Sequence, residues 1–264
     1  RHGNNFVLYL LADGTIRSYG KNTYGQLGTG NNTDITSGSS TGQVQGITTA
    51  VKIAVAQWTG YALLSNGQVW AWGSNSAGSI GDGTNTDRNS PVQMSLPSNT
   101  AVDIFASARS AAVLLADGRI FAVGDNPGSR VTCNTSQTDQ RTPVQLTTMT
   151  NLKEVDFGSF HSILLTTDKK VYTCGRSYAT TGVAGNASFH ASISGAYAYT
   201  NGPILMDDIG QQKRAIAVRA TGTSSFILLD NSSVACVGSN GSNQCNNPDT
   251  SSAYQPTPIF MPGL

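Results

Sequence analysis

The chain has 264 residues, enough to bury one sizeable core, with a formal net charge of +1 and only 12% charged residues. So few charges argue against a strongly electrostatic partner such as nucleic acid, which usually needs a basic patch, and no apolar run reaches the roughly 18 residues that a membrane-spanning helix needs. Hydrophobic residues make up 38% of the chain and recur periodically, so the abundance of Gly, Ser, Thr and Asn belongs to a folded β protein rather than to a disordered one.

The first predicted strand runs from Asn5 to Leu11, turns at Asp13-Gly14 and returns through Ile16 to Tyr19. A polar stretch from Gly30 to Gly42 follows, and Gly42-Gln43-Val44 stands where a further strand is due. The next segment opens with Val51 to Gln57, which alternates at its start as a half-buried strand does. Tyr61 to Leu64 then meets Ser65-Asn66-Gly67, and Asn-Gly predicts a two-residue type I′ hairpin, since both of its central residues need φ > 0. Gln68 to Trp72 forms the returning strand and Gly73 stops it. A loop carrying Gly78, Gly81 and Gly83 follows, and Pro91 introduces a last short strand, Val92 to Met94.

This order repeats. Ala101 to Ala106, Leu152 to Phe157 and Ala215 to Ala220 are the counterparts of Val51 to Gln57, and Pro143, Pro203 and Pro258 lead the later closing strands. A Leu-Leu pair recurs at Leu10-Leu11, Leu63-Leu64, Leu114-Leu115, Leu164-Leu165 and Leu228-Leu229, and a strand-closing glycine at Gly20, Gly73, Gly124, Gly175 and Gly238. Successive closing glycines lie 53, 51, 51 and 63 residues apart. A period of this size with several strands per unit indicates a propeller or a solenoid. The repeats span about 5–50, 51–100, 101–151, 152–214 and 215–264, read as a single domain. No capped 3.6-residue pattern is sustained, so no helix beyond a turn is expected. The later four leucine pairs are expected to be buried between units. The closing glycines are expected to need φ > 0 or a close backbone approach.

The loop Gly20-Lys21-Asn22-Thr23-Tyr24-Gly25-Gln26-Leu27-Gly28 and the run from Leu63 to Gln93 resemble the repeat of the regulator of chromosome condensation family. The resemblance covers all five units and weakens in the fourth and fifth, where most loop glycines are missing. It implies an all-β fold, a β-propeller of about five repeat units built as four-stranded antiparallel blades. Seven units are typical of that family. The chain therefore reads either as a segment of a longer propeller or as a smaller ring closed with an incomplete blade.

A rigid scaffold presenting loops suits recognition. The expected function is a non-enzymatic protein-binding or structural assembly module, its partner another protein or neighbouring copies, with no cofactor, nucleic acid or transmembrane segment. The alternative implied by the resemblance is guanine nucleotide exchange on a small GTPase. A hydrolase or lyase would need paired carboxylates along a shaft. His161, in Gly158-Ser159-Phe160-His161-Ser162, matches an element common in the family's inner strand, where the implied role is to bond neighbouring backbone. No Gly-x-Ser-x-Gly elbow and no metal-ligand pair at Cys-x-x-Cys or His-Glu-x-x-His spacing is present. Asp82 to Asp87 looks like a calcium loop but lacks the later bidentate glutamate.

Cys133, Cys174, Cys236 and Cys245 can form two disulfides, with Cys236–Cys245 the first candidate pair. Cys245 lies seven residues after its closing glycine, as Leu27 and Ile80 do, so burial is expected. Asn31, Asn134, Asn186, Asn231 and Asn240 each begin an Asn-x-Ser/Thr glycosylation triplet, no more than composition would produce, all in predicted turns or loops. Low charge with abundant Ser, Thr and Asn suggests an extracellular or cell-surface glycoprotein, the alternative being cytoplasmic. Trp58, Trp70 and Trp72 crowd one unit and read as packing between units. The fourth interval exceeds the third by 12 residues. The surplus lies between Gly175 and Pro203, where Tyr178, Phe189, His190, Tyr197 and Tyr199 stand among small residues. Length and composition both suit a binding loop. The expectation is an intermolecular contact, the competing reading a cover for the chain's own blade edge.

Overall fold

The computed structural model describes residues 1–38, 40–178, 185–206, 214–239, 245 and 254–261. Two compact units are present, one made of Arg1–Asp125 with Asp139–Gln145, the other of Asn126–Thr138 with Leu146–Leu264. Among the described residues the first unit holds three antiparallel sheets. They are β1 (Phe6–Leu10), β2 (Ile16–Gly20) and β3 (Gly42–Gln43); β4 (Ala50–Val55), β5 (Thr59–Leu64), β6 (Val69–Gly73) and β7 (Arg88–Gln93); and β8 (Ala101–Ser107), β9 (Ser110–Leu115), β10 (Ile120–Gly124) and β11 (Gln140–Gln145).

The second unit holds two sheets. One contains β12 (Leu152–Phe157), β13 (His161–Thr166), β14 (Val171–Tyr178), β15 (Tyr197–Tyr199) and β16 (Ile204–Leu205), with the short helix α1 (Ala187–Ala191) before β15. The other contains β17 (Ala215–Ala220), β18 (Ser224–Leu229), β19 (Val234–Ser239) and β20 (Tyr254–Phe260). Strands pair with their sequence neighbours, as in a meander, except that β14 pairs with both β15 and β16 along different parts of its length.

The hairpins inside the sheets differ from the type I′ expectation. Gly67 N donates to Leu64 O and Leu64 N to Gln68 O, and of the two turn residues only Gly67 has positive φ, +77°. This is a three-residue turn ending in a left-handed bulge position. The same position is Gly14, Gly118, Lys169 and Ser232 in the other sheets, with Lys169 at φ +69° and Ser232 at +67°. A side chain there is strained where glycine is not. Lys169→Gly is therefore expected to stabilise the chain by about 0.5–1 kcal/mol, read from denaturant midpoints; a destabilised variant would contradict the strain.

All five closing glycines have positive φ, and at Gly20, Gly73, Gly124 and Gly175 a Cβ would also strike backbone. Their φ values run from +104° at Gly124 to +121° at Gly20, and a Cβ on Gly73 would lie 2.3 Å from Trp58 O. Register shifts at Ala71/Gly73, Ala122/Gly124 and Cys236/Gly238 make each a bulge between the third and fourth strands. Pro91, Pro143 and Pro258 accordingly lie inside β7, β11 and β20 rather than at their starts. These are edge strands, where a missing N–H donor is tolerated.

In the first unit β5 is buried along its whole length. Its leucine pair divides between two cores. Leu64 joins Leu8, Ile16, Leu27 and Trp72 against the first sheet, while Leu63 joins Ile104, Val113 and Leu115 against the third. In the second unit Ile163, Leu165 and Val171 pack on Val218, Ile227 and Leu229.

The fourth leucine pair is displaced by one residue. Thr166 N bonds Lys170 O as Leu64 N bonds Gln68 O, so Leu164 takes the place of Val113 and Ile227. It remains fully buried because that position is also a core position. The expectation of burial fails at Leu228, which is 38% exposed, and Leu114 is only partly buried. Alternation along β18 turns Ile227 and Leu229 into the core and Leu228 away from it. Leu228→Ala should accordingly cost less than about 1 kcal/mol in denaturant unfolding, well short of a core truncation.

Candidate functional site

Loops between the third and fourth strands share one device. Two residues after each of three closing glycines stands a fully buried asparagine, Asn22, Asn75 and Asn126. Asn75 Nδ2 donates to Thr84 O (3.0 Å) and Thr86 O (3.1 Å), and its Oδ1 accepts from Ile80 N (2.9 Å). Asn22 does the same with Asn31 O, Thr33 O and Leu27 N, and Asn126 with Ser136 O, Thr138 O and Val131 N. The apparent calcium loop is absorbed here. Asp87 Oδ1 accepts from Asn75 N (2.7 Å), and Asp82 takes Thr84 N and the Arg88 guanidinium. Those partners hold the Asp82 carboxyl below its usual range against the opposing effect of burial, the largest single influence.

His161 bonds neighbouring backbone through its carbonyl, which accepts from Gly158 N (2.8 Å), and its ring turns to a side chain. Its Nε2 lies 2.9 Å from Ser225 Oγ, across two packed sheets. Both residues are buried, so no substrate reaches this Ser-His pair. Burial pushes the imidazole pKa down to about 4, and the nearby Arg130 charge adds to the shift. Arg130, itself buried, donates to Gly158 O (2.5 Å) and Ser159 O (3.1 Å). Two carboxylates do share one face of β12, Glu154 and Asp156. Glu154 Oε2 accepts from Val218 N (3.1 Å) and Asp156 Oδ2 from Ala220 N (2.9 Å), while Glu154 also pairs with Arg219. Burial raises the Asp156 pKa. Both carboxylates are engaged in joining sheets.

The insertion builds structure on its own sheet. β14 runs past Gly175, and its extension Arg176–Tyr178 pairs with Tyr197–Tyr199 of β15. The backbone thus covers the chain's own edge, yet Tyr197 stays 46% exposed. The Arg176 guanidinium sits 3.8 Å from the Phe160 ring centroid and 5.1 Å from that of Tyr197, and Tyr197 meets Tyr199 edge-on at 5.6 Å. Tyr197 and Tyr199 therefore come together, joined by Arg176 and Phe160, which sequence reasoning missed. Phe189 is partly buried on α1. The side chains of Tyr178 and His190 lie outside the described residues.

Cys133 is joined to Cys174 and Cys236 to Cys245, with Cα atoms 5.1 and 5.4 Å apart. Cys245 is buried, as are Leu27 and Ile80. Asn31, Asn134 and Asn231 are exposed. Asn186 instead begins α1: its Oδ1 accepts from Phe189 N (2.8 Å) and its Nδ2 donates to Leu205 O (3.0 Å). Asn240 lies outside the described residues. Trp72 is fully buried and donates to Gln26 O (3.0 Å), Trp70 packs beside it, and the Trp58 ring meets Tyr24 at 5.7 Å. Among the described residues no group of three or more metal-ligating side chains forms, and no helix is long and apolar enough to cross a membrane.

Two family models, both described as the Regulator of chromosome condensation (RCC1) repeat, match this chain. One covers residues 66–114, the other residues 3–26, 50–79 and 152–179. The Drosophila melanogaster protein called Regulator of chromosome condensation is 33% identical over 165 residues, 61% of this chain and 30% of that protein. Human WBSCR16 has a similar structure, with a TM-score of 0.80 at 17% identity over 98% of this chain and 65% of that one. Prp20p of Saccharomyces cerevisiae, described with its binding to Gsp1p and histones, gives a TM-score of 0.75 at 18% identity over 99% of this chain and 64% of that one. The chain thus spans less than a third of the curated relative and just under two thirds of each solved chain.

Proposed function

Because the chain belongs to the regulator of chromosome condensation repeat family, a family of β-propellers, we propose that it is a non-enzymatic protein-binding or structural assembly module. The observation that carries this reading is the exposed Tyr197, held by Arg176 and Tyr199 on an extra strand that, among the described residues, the other sheets lack. A stacked arginine and tyrosine give rigid contact area with polar tips, the residue types that dominate binding hot spots. The partner is a neighbouring copy. Sedimentation velocity is the test: association of the purified chain is expected, and Tyr197→Ala should weaken it roughly tenfold or more. A monomer at every concentration, or association indifferent to Tyr197→Ala, would defeat the assignment.

Two disulfides and the exposed Asn31, Asn134 and Asn231 support an extracellular or cell-surface setting. Intact mass before and after glycosidase treatment checks this, with a mass decrease expected. A second reading is favoured by the binding of the yeast protein to Gsp1p. On that reading the chain is an exchange factor for a small GTPase and would speed fluorescent nucleotide release from one, which the first reading does not predict.

A further inference from the structure

We infer that a cleft in the first unit is a binding site for a neutral sugar unit, such as the end of a glycan. The cleft holds about 380 Å³, within the usual range for small-ligand sites. Its lining includes Tyr24, Asn32, Asp87, Arg88, Asn89 and Val92.

The walls are built rather than incidental. Gly30 N donates to Asn89 O (2.8 Å) and ties the first loop to β7. A Cβ on Gly25 would lie 2.4 Å from Asn89 Cα, so glycine is what lets these two segments meet. Tyr24 is 38% exposed and braced by the Trp58 ring at 5.7 Å.

The chemistry selects the ligand. Asn32, Asp87, Arg88 and Asn89 place planar groups with several donors and acceptors beside an aromatic ring. A pyranose offers the complement, neighbouring hydroxyls on its rim and apolar C–H groups on its face, which the negative face of a tyrosine ring attracts. The charges are already committed. Arg88 pairs with Asp82 at 2.6 Å, and Asp87 accepts from Asn75 N at 2.7 Å. The lining carries one acid and one base, so a neutral ligand fits better than an anion.

Saturation-transfer NMR on the full chain with glucose, galactose, mannose and N-acetylglucosamine, beside acetate and glucuronate, tests the site. Transfer to at least one neutral sugar is expected, with Tyr24→Phe retaining it and Tyr24→Ala weakening it roughly tenfold. Asn32→Ala, at an exposed position, should weaken it as well. No transfer to any neutral sugar overturns the assignment, as does transfer that both alanine variants leave unchanged or transfer to the anions alone. Circular dichroism of each variant separates loss of the site from loss of the fold.

Discussion

Replacing Asn75 by alanine is expected to destabilise the first unit by about 3–4 kcal/mol. The side chain is fully buried and makes three backbone bonds, to Ile80 N, Thr84 O and Thr86 O. Alanine removes all three and leaves the Ile80 amide without its partner in the core. Each buried backbone group so orphaned costs about 1–3 kcal/mol, more than the bond itself contributes in net terms. Asn75→Asp keeps an acceptor for Ile80 N but points a carboxylate at two carbonyl oxygens, so it should be nearly as costly. Denaturant unfolding measures both. A loss below about 1 kcal/mol for Asn75→Ala would mean that the loop holds its shape without the side chain.

Acid should weaken the second unit through His161. Burial holds its folded pKa at about 4, whereas an unfolded histidine titrates near 6.5. The unfolded state therefore binds a proton that the folded state refuses. The stabilising contribution is complete above pH 6.5 and is lost progressively as pH falls toward 4. At about 1.4 kcal/mol per unit the loss approaches roughly 3 kcal/mol. Asp156 works the other way, since burial raises its folded pKa and acid then favours the folded state. Asp168, whose pKa is lowered, adds its own loss only once pH falls through the ordinary carboxylate range and below. Unfolding free energy measured from pH 7 to 4 for the native chain and for His161→Gln isolates the histidine. Parallel curves would refute its role.

The repeat architecture was legible because it rests on residues whose backbone leaves no choice. A Cβ at Gly20 or Gly124 would strike the neighbouring strand, so glycine recurs where the bulge recurs. The leucine pairs were less secure markers. Thr166 could take the aligned position and shift the fourth pair by one residue because its buried hydroxyl donates to Lys170 O. The Asn-Gly signal misled at Asn66 because the three-residue turn asks for positive φ only at its last residue. The asparagine loops were missed, although an asparagine stands two residues after Gly20, Gly73, Gly124 and Gly238. That spacing was the available signal. In a chain rich in asparagine the residue type conveys little until its burial is known. Arg176 and Phe160 carried no local signal, because strand pairing and a turn bring them together.

The carboxylates on β12 have a consequence for how the chain behaves in a crowded solution. A strand at the border of a sheet offers a row of free amides, and such a row is a template on which another chain can add a strand and begin to aggregate. On β17 the amides of Val218 and Ala220 are already taken by Glu154 and Asp156. A passing strand finds those donors spent and meets the charged Glu154–Arg219 pair beside them. Two acidic side chains thus act as gatekeepers, closing the β17 border to foreign strands without adding a strand of their own.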